Sequence, residues 1–168
     1  MVAQTFVAQN LVFGILAVVM VAAAFRLVTT QNVVRAALFL AVVLAGAAGL
    51  YILLAAEFVA WVQVLVYIGA VVVLLLFGVM LTRAPIGKEG DLDNDQRLLS
   101  ALVALFLLGA LGAVLLDAFG DDKVEDFAIR RTAEVSDSIF GTYVIPFEVA
   151  SVLLLSALVG AVALARRD

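Results

Sequence analysis

Four residues within one apolar stretch have chemistry beyond filling space: Glu57, Gln63, Tyr67 and Gly69. A carboxyl group can carry a proton, an amide and a phenol can donate and accept hydrogen bonds, and a glycine lets the backbone change conformation. The stretch that holds them, Glu57 to Thr82, has one carboxylate at its start and then 25 residues without a formal charge. At a 1.5 Å rise per residue, an uncharged helix of that length spans about 37 Å, against roughly 30 Å of bilayer hydrocarbon. Polar groups are costly there, so each of these positions needs a partner or a task.

Gln63 and Tyr67 are four apart and share a face of a regular helix. Glu57, ten residues before Tyr67, lies about 80° away around the axis. A π-bulge adds one residue to a turn and rotates everything beyond it by roughly 100°, and such bulges favour functional sites. Gly69 makes one cheap, so a π-bulge is expected in this helix. Glu57 is the candidate proton-coupling residue, because withdrawal from water favours the protonated carboxyl; a solvated place at a hairpin tip among the headgroups explains it as well. Tyr67 and Gly69 form a candidate hinge, with ordinary interhelical packing as the alternative. Gln63 reads as an interhelical hydrogen-bonder and Trp61 as an interfacial aromatic anchor.

The remainder of the chain must position this helix in a membrane. Of 168 residues, 66% are hydrophobic, and the mean hydropathy is +1.23, far above the soluble norm of about 45–50% apolar. The sequence predicts an all-α integral membrane protein, a single transmembrane domain over 1–168. The absence of Cys and His removes the usual ligands for haem, iron–sulfur clusters and zinc. No cofactor is therefore expected in this chain, and redox chemistry would have to reside in a partner. The net charge of −4 comes mainly from two acidic loops, so it says little about nucleic acid, and no nucleic-acid partner is expected.

Five spans are expected, at about 6–25, 36–54, 58–82, 98–116 and 143–165. The first 25 residues lack the basic start of a cleavable signal and read as a first span. Gly46 and Gly49 in the second allow close helix approach. The turn between the first two carries Arg26 and Arg35, read as topology determinants that snorkel to the surface. Loop 83–97 holds four acids and three bases, and loop 117–142 holds seven acids and three bases. Pro146 and Glu148 are expected in the first turn of the fifth span, where both suit helix capping. Arg166 and Arg167 close that span. With five crossings, one face collects three Lys and Arg and the other seven, so the N-terminus is expected outside and the C-terminus in the cytoplasm. No internal repeat of the kind used by many transporters is visible.

Two stretches resemble a known family, subunit J of the proton-pumping NADH:quinone oxidoreductase, respiratory complex I, called subunit 6 in mitochondria. The first runs from Ala56-Glu57-Phe58-Val59-Ala60 into Gln63-Val64-Leu65-Val66-Tyr67-Ile68-Gly69-Ala70. The second is Tyr143-Val144-Ile145-Pro146-Phe147-Glu148-Val149-Ala150-Ser151, continuing through Gly160-Ala161 to the closing arginines. The resemblance implies a non-catalytic membrane-arm subunit in a bacterial plasma membrane, beside the quinone-site and small antiporter-like subunits. It implies FMN, iron–sulfur clusters and quinone in partner subunits. It further implies a hinge at Tyr67, Ile68, Gly69 and Ala70 that switches between α and π forms and couples quinone reduction to proton translocation. Gln63 and Glu148 are read as polar packing residues. Some relatives place the helix-three carboxylate where this chain has Gln63, which cannot titrate. Two other classes remain open: an autonomous small channel or transporter formed by self-association, and a purely structural spacer in the same complex.

Overall fold

The computed structural model describes residues 2–82, 96–120 and 131–166. All of its regular elements are helical, in the order α1 (Val2–Thr29), α2 (Val33–Leu53), α3 (Glu57–Val62), a π-helical segment (Gln63–Val72), α4 (Val73–Leu81), α5 (Arg97–Phe119), α6 (Thr132–Phe140) and α7 (Val144–Ala165). The third, fourth and fifth elements run on as one continuous rod, Glu57–Leu81, here called span three. Five stretches are long and apolar enough to cross a membrane: Val7–Thr29, Val33–Leu53, Glu57–Leu81, Leu98–Phe119 and Val144–Ala165. Even the shortest, at 21 residues, reaches about 31 Å as an α-helix, enough for the hydrocarbon layer.

Several ends differ from the expected boundaries for local reasons. The first helix runs on past Phe25 to Thr29, because no breaker interrupts it and Arg26 suits the negative end of its dipole. The Thr29 hydroxyl donates to the Phe25 carbonyl at 2.8 Å. The second helix begins early because Asn32 caps it, its Oδ1 accepting from the Arg35 backbone N–H at 3.0 Å. That side chain satisfies one of the orphan donors of the first turn.

Loop 117–142 is not all loop. The α5 helix continues to Phe119, and α6 occupies Thr132–Phe140. In α6, Val135 and Ile139 sit four apart and are half-buried with Ser136, while the rest of the helix is more open. This is a short amphipathic helix with its apolar stripe turned inward. Gly141 follows its end, and the Phe140 ring meets the Phe147 ring of α7 edge-on, 5.0 Å between centroids. The expectations placed on residues 83–95 lie outside the described residues.

The packed body is a layer of three spans with α2 in the middle. α2 lies against α1 on one side and against α3, the π segment and α4 on the other. Gly46 and Gly49 make the first contact close. A Cβ at Gly46 would overlap the Cγ of Met20 and sit 2.7 Å from its Sδ, and a Cβ at Gly49 would sit 3.1 Å from Leu16 Cδ1. Close backbone approach through small residues is how helices gain dispersion contacts in lipid. The core is correspondingly made of small side chains, with Ala23, Ala37, Ala48, Ala60 and Val72 buried. Among the described residues, α5 packs against no other element, and α7 touches only α6, which in turn reaches α3.

Candidate functional site

The site begins at the link between α2 and span three. Ala55 adopts φ 55°, the left-handed region that an L-residue other than glycine enters at a cost of roughly 1–2 kcal/mol. The geometry is that of a Schellman closure: the Ala55 N–H donates to Ile52 O at 3.0 Å and the Ala56 N–H to Tyr51 O at 2.9 Å. Orphan carbonyls at the end of α2 are thereby satisfied in a link too short for other partners. The closure also sets Glu57 as the first residue of α3, where a carboxylate complements the positive helix end.

Glu57 is exposed and lines a cleft of about 340 Å³ with Ile52, Ala60, Trp61 and Val64. Trp61 stays 65% exposed. Tyr67 is not among the residues that line this cleft.

Gln63 opens the π segment and is its buried polar residue, 7% exposed. Its Nε2 lies 3.5 Å from the Leu44 carbonyl of α2, a long hydrogen bond. At the other end of the segment Val72 is 3% exposed, and α2 is the neighbour against which the segment packs. The two residues are nine apart. At 100° per residue, nine steps of α-helix end half a turn away. The 3₁₀ and α forms take about 3.0 and 3.6 residues per turn, and i→i+5 bonding widens the turn to roughly 4.4, or ~80° per residue. Nine such steps return close to the starting face. The π form therefore points Gln63 and Val72 the same way, toward α2.

The π segment covers Tyr67, Ile68, Gly69 and Ala70, the four candidate hinge residues, and extends beyond them on both sides. Tyr67 is about half exposed, Ile68 is partly covered, and Gly69 and Ala70 are exposed, so this stretch is turned away from the chain's own helices. A Cβ at Gly69 would meet only the Val64 carbonyl oxygen, at 3.5 Å, an ordinary contact.

Glu148 falls in the second turn of α7 and not, as expected, in the first: it is the fifth residue of a helix that starts at Val144, and a turn takes about 3.6 residues. It is exposed, and among the described residues α7 packs against no other span. Among the described residues no three His, Cys, Asp or Glu side chains gather as a metal site would require, and with no cysteine in the chain the donor set does not fit an iron–sulfur cluster. Sequence reasoning missed Ala55, since alanine carries no turn signal, and α6, whose Val135–Ile139 spacing and terminal Gly141 were outweighed by the surrounding acids.

Span three thus carries a buried amide and an internal π segment in a chain without cysteine or histidine. The description NADH-ubiquinone/plastoquinone oxidoreductase chain 6 matches residues 23–164. The chain belongs to this family. Among chain 6 relatives, NAD(P)H-quinone oxidoreductase chain 6 of Synechocystis sp. is 39% identical over 166 residues, covering 95% of this chain and 82% of the relative. The protein of the same name from Leptolyngbya boryana is 40% identical over 172 residues, covering 95% and 81%. The F(420)H(2) dehydrogenase subunit J of Methanosarcina mazei is 42% identical over 167 residues, covering 95% and 92%. The chain 6 match takes in α2, span three, α5 and α7, and therefore all of the candidate site.

Proposed function

We propose that this chain is a non-catalytic membrane subunit of a quinone oxidoreductase complex, and that span three helps couple quinone reduction to proton translocation by changing between π and α forms. The observation that carries the reading is the π segment Gln63–Val72 in the middle of a membrane span. Long π stretches are rare and favour functional sites. Quinone chemistry in neighbouring subunits biases the two forms, and the forms differ in whether water links Glu57 and its surroundings to proton paths in the partners.

Two further features support a place in an assembly. α5 and α7 find no span to pack on within the described chain, and relatives of nearly equal identity are named for different electron donors, NAD(P)H and F(420)H(2). Donor chemistry then belongs to other subunits, with FMN, iron–sulfur clusters and quinone held there. The partners are the quinone-site and small antiporter-like membrane-arm subunits, and the setting is a bacterial plasma membrane with the N-terminus outside. No observation favours the self-associating channel.

The test is the assembled complex carrying Glu57→Gln or Tyr67→Phe, with quinone reduction and proton uptake measured on the same vesicles. A fall in protons moved per quinone reduced, with assembly intact, supports the coupling role. Unchanged rates and ratios in both variants would leave a structural spacer.

A further inference from the structure

The turn between α1 and α2 does more than mark topology: we infer that Arg26 and Arg35 cradle the phosphate of an anionic phospholipid in a built cleft between the two helix ends. The cleft, of about 340 Å³, is lined by Arg26, Thr29, Thr30, Gln31, Arg35 and Phe39. Arg26 and Thr29 come from one face of the last turns of α1, Arg35 and Phe39 from one face of the first turns of α2, and Thr30 and Gln31 from the turn between them.

The lining is rich in donors. Two guanidinium groups supply forked N–H donors suited to phosphate oxygens. The Gln31 amide is exposed, and the Thr30 hydroxyl oxygen accepts from the Asn32 N–H at 3.4 Å, which leaves its own proton to give. No carboxylate is among the lining residues, and among the described residues neither arginine has an ion-pair partner. Two like charges facing one cleft repel each other and call for an anion with several acceptor oxygens.

Phe39 selects a lipid over a soluble anion. It lies one turn beyond Arg35, about 6 Å deeper along a helix that continues across the hydrocarbon. The cleft thus changes from charged to apolar over the distance at which a phospholipid changes from phosphate to glycerol and acyl chain. Basic pockets at helix ends recognise anionic headgroups in this way. The inference does not depend on the proposed coupling role of span three.

The experiment uses the intact complex in nanodiscs doped with a photoactivatable phosphatidylglycerol or with the matching phosphatidylcholine, and labelled peptides are mapped by mass spectrometry. The expected result is label within residues 26–39 that is several-fold stronger from the phosphatidylglycerol probe. Because each basic residue near an anionic surface adds attraction, Arg26→Gln with Arg35→Gln should bring that label down to the level of the phosphatidylcholine probe, whereas Arg26→Lys with Arg35→Lys should retain most of it. Equal labelling by the two probes overturns the inference, and that comparison needs only the wild-type complex if the glutamine variant does not assemble. Displacement by inorganic phosphate would mean that a soluble anion occupies the cleft. Exclusion of both probes would mean that a partner subunit covers it. Either result overturns the lipid assignment.

Discussion

Gln63 and Val72 face the same neighbour although nine residues separate them, a spacing that a straight α-helix would place on opposite sides. Both are buried, at 7% and 3% exposure, and the Gln63 amide reaches the Leu44 carbonyl of α2. The π segment between them removes close to half a turn. Its conversion to α-helix would turn α4 relative to α3 and carry either the amide or Val72 away from α2. That sets a stated consequence for a two-state span: one form keeps both contacts, and the other exchanges one of them for lipid or a partner subunit.

Gly69 should tolerate a methyl group but not a branched side chain. A Cβ there meets only Val64 O at 3.5 Å, so Gly69→Ala is expected to assemble and to pump protons close to the wild-type ratio. Gly69→Val adds two γ-carbons and stiffens χ1. A bias of about 1 kcal/mol between two forms changes their ratio about fivefold, enough to depress coupled turnover well before assembly fails. Unchanged proton pumping and quinone reduction in Gly69→Val would remove the hinge role from this residue.

Gln63 sits where a polar side chain must have a partner, yet its 3.5 Å bond to Leu44 O is long. Interhelical hydrogen bonds in membranes average about 0.6 kcal/mol, so Gln63→Leu, of similar length, should cost little stability and leave the complex assembled. Heat inactivation of the purified complex measures this. A large loss of stability would show that the amide anchors span three. Intact stability with lost proton pumping would instead put the amide on a water path.

Ala55 is held in the left-handed region by the closure of α2 onto Tyr51 and Ile52. Glycine adopts that conformation freely, so Ala55→Gly should stabilise the hairpin by up to about 1 kcal/mol after its larger unfolded-state entropy is deducted. Ala55→Val should destabilise it and displace Glu57 from the start of α3. The midpoint of heat inactivation should rise for the first variant and fall for the second.

The α1–α2 contact offers a rescue experiment. A Cβ at Gly46 overlaps Met20, so Gly46→Ala should cost roughly 1–3 kcal/mol through overpacking and lower the yield of complex on native gels. The obstacle is the side chain of a flexible methionine, so pairing it with Met20→Ala should recover most of that yield. Failure of the pair to recover would mean that Gly46 is needed for some reason other than Met20.

The spans were legible because uncharged runs of about twenty residues have few other uses, and the π segment was legible because a glycine and polar groups stood inside one of them. Its length was not. Ten residues of π-helix follow from packing at both ends, Gln63 and Val72 against one helix, and a one-dimensional pattern does not say which neighbour a span will have. Ala55 left no trace for a similar reason: its conformation is imposed by a link too short to turn otherwise. Glu148 lies beyond the first turn whether the helix starts at 143 or, as it does, at Val144, so its place in the second turn follows from about 3.6 residues per turn. The amphipathic α6 was written in the Val135–Ile139 spacing, and the charge around it masked the signal.

Orientation can be read directly, because the chain contains no cysteine and any thiol introduced into it is unique within it. Crossings alternate, so the α1–α2 turn and the α6–α7 corner lie on opposite sides of the membrane. The basic residues divide seven to three in favour of the side that holds the α1–α2 turn, and the cytoplasmic side is the one that retains Lys and Arg. Gln31→Cys and Thr142→Cys put thiols at exposed positions on the two sides. In intact spheroplasts an impermeant maleimide should label Thr142→Cys and leave Gln31→Cys unlabelled until the membrane is opened. The reverse pattern would invert the orientation. It would also place Glu57, on the same side as Thr142, at the cytoplasmic end of span three, and any proton path through this chain would then have to be drawn from the other side.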